Sequence, residues 1–405
     1  MKTLEFLSKN APWLAAGGLL TFGSSFGQTY FISIYSGEIR AEFGLSHSAW
    51  GGIYALGTSA SAVLMLLVGG VVDNFRTRSM AAITILGLCA ICLAMSAVPS
   101  AALLPFVIFG LRFCGQGMMS HLAVVSVGKW FSAARGKAIS FVHMGFSIGE
   151  AILPISFVFI MGWVGWRGSW MVAAGVVLSF LPLIYLFLQK ERSPKGTIDT
   201  ESVPGMDGKH WNRRMALKHW MFWACLPGFL TQPVFGTAFF FQQVHLTEIK
   251  GWSLESFVSL IPIYTTTALI ALFVGGWLID RFGTRRVLPL YLLPLAVGFI
   301  IIAYTPGLLG VAIGMAFMGV MHGISAATVG VFWPEYYGTR YLGAIRSVAM
   351  SVMVLASAIG PAVTGYLIDA GVDYRNQLLG MAAYTVAVSI LSGFAMRRAP
   401  ATGAV

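Results

Sequence analysis

Apolar runs long enough to cross a membrane succeed one another along almost the whole chain. They lie near residues 12–36, 47–72, 79–98, 102–127, 137–160, 167–188, 218–246, 254–279, 286–304, 307–332, 341–369 and 374–396. A helix needs roughly 20 mainly apolar residues to span about 30 Å of hydrocarbon. Inside lipid only a backbone that satisfies its own N–H and C=O groups is stable. The pattern therefore predicts an all-α membrane protein of twelve transmembrane helices. Charge content agrees, at 10% against about 25% for a soluble domain. Lys9 followed by an apolar run could open a secretory signal, but the apolar core of such a signal ends after about 7–15 residues. This run continues further, so an uncleaved first helix is expected.

The net charge of +11 could suggest a nucleic-acid partner, so its placement decides. With the N-terminus in the cytoplasm, twenty-one of the 26 Lys and Arg, from Lys2 and Lys9 to Arg397 and Arg398, collect on the cytoplasmic side. Arg40, Arg167, Lys250 and Arg375 fall outside, and Arg112 falls within the membrane. So uneven a split follows the positive-inside rule. It reports topology, with both termini cytoplasmic in a cell (inner) membrane, and it argues against nucleic acid. Cys89 and Cys92 form a CxxC in the middle of the third run. With no second pair or His cluster, they read as small packing residues, and neither metal nor cofactor is expected.

The polar interval from Gln189 onward, "QKERSPKGTIDTESVPGMDGKHWNRRMALK", mixes Pro, Gly, Ser and both charges, which marks a linker. It divides the chain into an N-terminal six-helix bundle (1–188), a cytoplasmic linker (189–217) and a C-terminal six-helix bundle (218–405). The halves repeat. Asp73 and Asp280, Arg78 and Arg285, Gly136 and Gly343, and Pro154 and Pro361 are each 207 residues apart.

Two charged loops carry the repeat, "GGVVDNFRTRSM" at Gly69 and "GGWLIDRFGTRRV" at Gly275. They resemble the loop motif between the second and third helices of each half in the major facilitator superfamily of secondary transporters. "RFCGQG" at Arg112 is similar to that superfamily's fourth-helix Arg-x-x-Gln-Gly. "KWFSAARGKAISFVHMGFSIGEAILP", Lys129 to Pro154, resembles its monocarboxylate and oxalate/formate carrier branch. The resemblance covers essentially the whole chain. It implies a monomeric carrier that rocks one bundle against the other, with Asp73, Arg78, Asp280, Arg281 and Arg285 as gating charges. In that reading Asp73 faces the start of the eleventh helix near Gly343, and Asp280 the start of the fifth near Gly136, where a helix dipole is worth about 0.3–1 kcal/mol. Gly69 and Gly276 would permit close helix approach. Asn74 stands where the motif usually has Arg, and Arg76 where it has Gly, so the first latch is expected to be the weaker.

Ionisable groups inside a membrane cost roughly 2.5–3.5 kcal/mol each on insertion scales, so each is a functional candidate. Arg112 lies about 12 Å below the outer face and Glu150 about 20 Å above the inner one, at 1.5 Å per residue. Their depths agree. Helical phase puts His143 and Glu150 on one face and Arg112 and Gln116 on another. Arg112 and Glu150 are thus expected to approach across the fourth and fifth helices, with His143 below them. Such a pair would either neutralise two buried charges or exchange a proton during transport.

Substrate contacts are expected near the midplane, from Arg112, Gln28, Tyr30, Tyr54, Gln232, Tyr264 and His322. Carriers of the resembled branch place a basic residue on the eighth or eleventh helix. Here the eighth has none and the eleventh only Arg346, near its start. Either a small organic anion binds Arg112, or the substrate is neutral, zwitterionic or cationic, as for an efflux carrier of a partly apolar compound. A transporter-shaped sensor is the other class. An enzyme is not expected, because no nucleophile or metal spacing is present.

Overall fold

The computed structural model describes residues 3–73, 75–131, 134–190 and 203–400. Lys2, Asn74, Arg192 and Lys195 lie outside the described residues, as do the side chains of Asp73 and Arg135. Among the described residues every regular element is helical. Nine of the described helices are long and apolar enough to cross a membrane. The longest of these, Gly136–Phe187, supplies the fifth and sixth spans, because Gly165 leaves the helical region at φ 72°, ψ 171°. The first span, opening with Thr3–Gly23, and the short ninth, Leu293–Tyr304, complete the twelve. The protein is therefore an all-α integral membrane protein.

The chain forms two compact units, Met1–Asp199 and Thr200–Val405. Each repeats the same frame with the spacing read from the sequence. The first span of one unit ends at Gly44 with φ 61°, and the corresponding span of the other at Gly251 with φ 69°. Both are left-handed helix caps, where glycine carries no Cβ penalty. Two residues later, Ser46 accepts from Ala49 N–H and Ser253 from Ser256 N–H, starting the second and eighth spans, His47–Val68 and the pair Leu254–Val258 and Ile261–Phe282. A side-chain oxygen in that place satisfies one of the four unpaired N–H groups of a helix start.

The ends of the third span, Thr77–Ser96, and of the ninth are held in a matching way. Arg167 donates to the carbonyls of Ser96 (2.8 Å) and Val98 (2.7 Å). Lys250 donates to Ala303 (3.3 Å) and Thr305 (3.0 Å), which are the equivalent positions. A cation at a helix C-terminus meets both the free carbonyls and the negative end of the dipole. The donors come from different elements, the start of the sixth span and the end of the seventh.

Three spans are irregular. The first runs from Thr3–Gly23 through a tight 3₁₀ turn, Ser24–Gly27, and the extended Gln28 before resuming at Thr29. A Gly and Ser cluster is a recognised cause of such a break. The seventh, Trp220–Phe241, widens into a π turn at Gln232–Gly236, beside Pro233. These two interruptions occupy equivalent places in their units. The fourth, Ala101–Trp130, is π-helical over Leu111–Met119, whereas its counterpart, the tenth, runs unbroken from Leu308 to Tyr337. π turns open a helix by one residue and concentrate at functional sites.

The described part of the linker packs on the second unit. Thr339 N–H donates to Val203 O (3.0 Å) and Val203 N–H to Thr339 Oγ1 (2.9 Å). Trp211 is buried between Tyr337 and His219 and donates to Met206 O. The short helix Arg213–Lys218, capped by Asn212, leads into the seventh span.

Candidate functional site

In the first unit the expected residues gather where the broken first span meets the π turn of the fourth. Gly27 and Gly115 make that meeting possible. A Cβ on Gly27 would lie 2.6 Å from Gln116 N and 2.8 Å from Gly115 Cα, and one on Gly115 would lie 2.7 Å from Gly27 Cα. Backbone thus touches backbone. Arg112, 1% exposed, uses the contact to donate from Nη1 to Gly27 O at 3.1 Å. Its guanidinium carbon sits 5.4 Å from the centre of the Tyr54 ring, within cation–π range. Tyr54 OH pairs with Thr29 Oγ1 at 2.5 Å, and Tyr30 OH donates to Ser25 Oγ at 2.9 Å. Gln28 is half-buried at the break itself.

Among the described residues the guanidinium therefore meets a carbonyl and a ring, and its Nε has no hydrogen-bond partner. The expected approach to Glu150 is not made as an ion pair. Glu150 is 7% exposed and has interactions of its own. The physical reason is local: the close approach of Gly27 to the π turn offers the guanidinium a backbone carbonyl and the Tyr54 ring on the first and second spans, and helical phase within the fourth span alone does not register that contact. His143, two turns from Glu150, is exposed.

In the second unit Tyr264 and His322 come together, with ring centres 5.7 Å apart, and Phe240 meets Tyr264 edge-on at 5.1 Å. Among the described residues, His322 Nδ1 is buried without a hydrogen-bond partner. Gln232 is half-buried at the start of the seventh span's π turn. The position equivalent to Arg112 is Gly319, and a Cβ there would run into Thr267 Oγ1 and the Tyr264 carbonyl. The tenth span is thus pressed against the eighth where the fourth carries a cation.

The loop residues are arranged within their own units. Arg78 lies 5.3 Å from the Tyr185 ring centre, and its counterpart Arg285 donates to Arg397 O at 2.6 Å, so each reaches the last span of its unit. Arg281 lies over Trp277 and Phe282, and Asp280 is exposed. Thr77 pairs with Ser126 (2.9 Å) and Thr284 donates to Glu335 (2.5 Å), joining the third span to the fourth and the ninth to the tenth. Gly283 adopts φ 78°, whereas Arg76, in the matching loop, has φ −64°. The close approach expected at Gly276 is made one residue earlier. A Cβ on Gly275 would be 3.0 Å from Ile324 Cα, while one on Gly276 would meet open space. Gly69 instead offers its carbonyl to His121 Nε2 at 3.0 Å.

Ser25, Thr29 and the Gly27–Gly115 contact were not singled out from the sequence. Their signal was the small, polar run "GSSFGQT" inside an otherwise apolar span. All four cysteines are free, and among the described residues no cluster could hold a metal.

Residues 17–265 and 235–404 match the family described as Major Facilitator Superfamily. A probable sulfoacetate transporter, SauU, of Cupriavidus necator is 24% identical over 395 residues, 87% of each chain. The plastidic glucose transporter 4 of Arabidopsis thaliana is 27% identical over 154 residues, which is 38% of this chain and only 26% of the plant protein. Among solved structures, a bacterial homolog to the human lysosomal transporter Spinster superposes with a TM-score of 0.76 at 15% identity, covering 98% and 99% of the two chains. The nucleoside transporter NupG gives 0.70 at 15% identity, covering 95% and 98%. At these identities the structural likeness is one of fold.

Proposed function

This chain belongs to the Major Facilitator Superfamily, a family of transporters and not of enzymes, and from that premise we propose that it is a secondary active transporter of a small organic anion. The observation that carries the reading is the Arg112 guanidinium. It is buried, held by a carbonyl and an aromatic face, and left with an Nε that nothing among the described residues hydrogen-bonds. A membrane-embedded charge held without a carboxylate partner keeps its full capacity to bind an anion. Guanidinium also matches carboxylate and sulfonate oxygens with a planar fork of donors. The similarity, over most of both chains, to a protein named a probable sulfoacetate transporter supports the same substrate class.

In this reading the substrate-binding residues are, besides Arg112, Gln28, Tyr30 and Tyr54 of the first unit and Gln232, Tyr264 and His322 of the second. Glu150 and His143 carry the coupled proton. Asp73, Arg78, Asp280, Arg281 and Arg285 gate an alternating-access cycle, run by a monomer in the inner membrane with both termini in the cytoplasm. The test is uptake into proteoliposomes across a panel of carboxylates, sulfonates, sugars and nucleosides, with and without an imposed pH gradient. Saturable uptake of an organic anion that Arg112→Gln removes and Arg112→Lys partly keeps is the expected result. Uptake of neutral solutes alone overturns the substrate class. Glu150→Gln transport that keeps its full pH-gradient dependence removes Glu150 from coupling.

A further inference from the structure

A crevice of about 300 Å³ opens on the surface of the second unit between the ninth span and the twelfth, Tyr374–Arg397. Leu290, Leu293, Ile390 and Phe394 line it together with Gly393 and Arg397, whose guanidinium carbon lies 6.0 Å from the centre of the Phe394 ring. The walls are apolar and open, with Leu290 60%, Ile390 56% and Phe394 59% exposed. Two features of the local sequence make it. Pro289 and Pro294 delay the regular ninth helix until Leu293, so Leu288–Leu292 runs as turns. A proline supplies no N–H and displaces the preceding turn. Opposite that irregular stretch, Gly393 has no side chain to fill the gap, since a Cβ there would make only ordinary contact with Pro289 at 3.7 Å.

The repeat shows that this is not a general consequence of the fold. In the first unit the equivalent of Gly393 is Leu186, those of Pro289 and Pro294 are Ala82 and Gly87, and the third span is one regular helix, Thr77–Ser96. There a leucine stands in place of the glycine and the helix beside it is unbroken.

We propose that this crevice is a binding site for one anionic phospholipid, with an acyl chain along Leu290, Leu293, Ile390 and Phe394 and the headgroup phosphate on Arg397. Charge and shape select this occupant. The crevice lies on the outer face of two membrane spans, so its apolar walls meet acyl chains. Its polar end carries a guanidinium, and Arg285, hydrogen-bonded to the Arg397 carbonyl at 2.6 Å, brings a second cation to the same mouth. Arg286 and Arg398 follow in sequence on the same two segments and are exposed. Basic pockets between membrane helices near the headgroup level hold anionic lipids, and each cation near an anionic lipid surface is worth about a five-fold change in binding. The site is independent of the transport pocket and of the solute carried.

The experiment is native mass spectrometry of the full-length protein in detergent, with added phosphatidylglycerol, phosphatidylcholine or inorganic phosphate. The intact protein is expected to retain phosphatidylglycerol in preference to phosphatidylcholine. Arg397→Gln is expected to weaken retention about five-fold, and Gly393→Leu to remove the preference by filling the crevice. Lys190→Gln, at the position equivalent to Arg397, should leave it unchanged. Equal retention of the two lipids by the intact protein overturns the proposal. So does an unaltered preference in Gly393→Leu or Arg397→Gln, an equal loss in Lys190→Gln, or displacement of the lipid by millimolar inorganic phosphate. Thermal unfolding of each variant separates a lost site from a lost fold, and Arg397→Gln, at an exposed helix end, keeps the test decisive should Gly393→Leu fail to fold.

Discussion

At residue 112 the fourth span carries an arginine inside a widened turn. At the equivalent position the tenth span carries Gly319, in a helix that continues unbroken for 30 residues. The frames around these positions are alike down to the left-handed caps at Gly44 and Gly251, the serine caps at Ser46 and Ser253, and the cation-held carbonyls at 96 and 98 and at 303 and 305. Duplication therefore preserved what shapes each bundle and released what fills it. One unit became a cation holder, with backbone contact between its first and fourth spans. The other carries an aromatic and imidazole cluster of Phe240, Tyr264 and His322, with close contact between its eighth and tenth spans at Gly319 and Gly323. A glycine in one copy opposite an arginine in the other thus marks where the two units differ in what they bury.

The largest consequence of this asymmetry is chemical. Arg112→Gln should lower organic-anion uptake by about 10- to 150-fold, because a charge-assisted hydrogen bond in a dry site contributes roughly 1.5–3 kcal/mol. Uptake at the normal rate would make the difference between the units merely structural. Next in size is the steric asymmetry. Gly27→Ala and Gly319→Ala each drive a methyl into backbone and should cost about 1–3 kcal/mol, read as loss of thermal stability in detergent. Val234→Ala, at the second unit's equivalent of Gly27, removes volume instead, and it should lower stability without disturbing the pairing of the first and fourth spans. If Gly27→Ala and Gly319→Ala cost no more stability than Val234→Ala, the close backbone contacts at the two glycines are not what sets them apart.

A smaller difference separates the two charged loops. Gly283→Ala places a Cβ at φ 78°, ψ 151° with nothing nearby to clash, so only backbone strain of roughly 1–3 kcal/mol is expected. Arg76→Ala, at φ −64°, should stay within about 0.5 kcal/mol. Equal effects would show that the loops are conformationally equivalent after all.

The smallest expected effect lies at the helix ends. Glu42 accepts from Arg167 (2.5 Å) and from Trp166 (2.7 Å), and the arginine first, then the indole, hold its carboxyl below the ordinary range. A depressed carboxylate contributes stability that is full above its unfolded pKa and disappears as pH falls through the lower folded value. Acidification below about pH 4.5 should thus weaken the first unit. The two side chains are 33% and 39% exposed, so solvent screening should keep the loss under about 1 kcal/mol, and Glu42→Gln should abolish that acid dependence. Lys250, the counterpart holder, is pushed down chiefly by burial and then by Arg375, with Asp373 opposing. Because the folded form releases its proton first, its contribution rises only at alkaline pH, and it leaves the acid limb untouched. An acid limb unchanged in Glu42→Gln would remove this distinction.

Much of this was readable in advance. Twelve spans, two halves and the 207-residue spacing follow from hydropathy and from recurring Asp, Arg, Gly and Pro. Arg112 was identified as the deep cation from its position alone, but its partner was not, because helical phase within the fourth span does not register the contact with the first. Close approach was expected at Gly276 and is made at Gly275, since two adjacent glycines offer no way to choose the face.

Hydropathy alone located where the chain enters lipid, because a span needs only length and apolarity, both of which are local sums over residues. The repeat was legible for a similar reason: substitutions that preserve caps and turns leave their residue types behind. Where the buried charge points was settled only by the packed molecule. A π turn and a glycine–glycine contact rotate and translate a helix face by amounts that depend on the partner helix, and no periodicity within one segment records the shape of its neighbour.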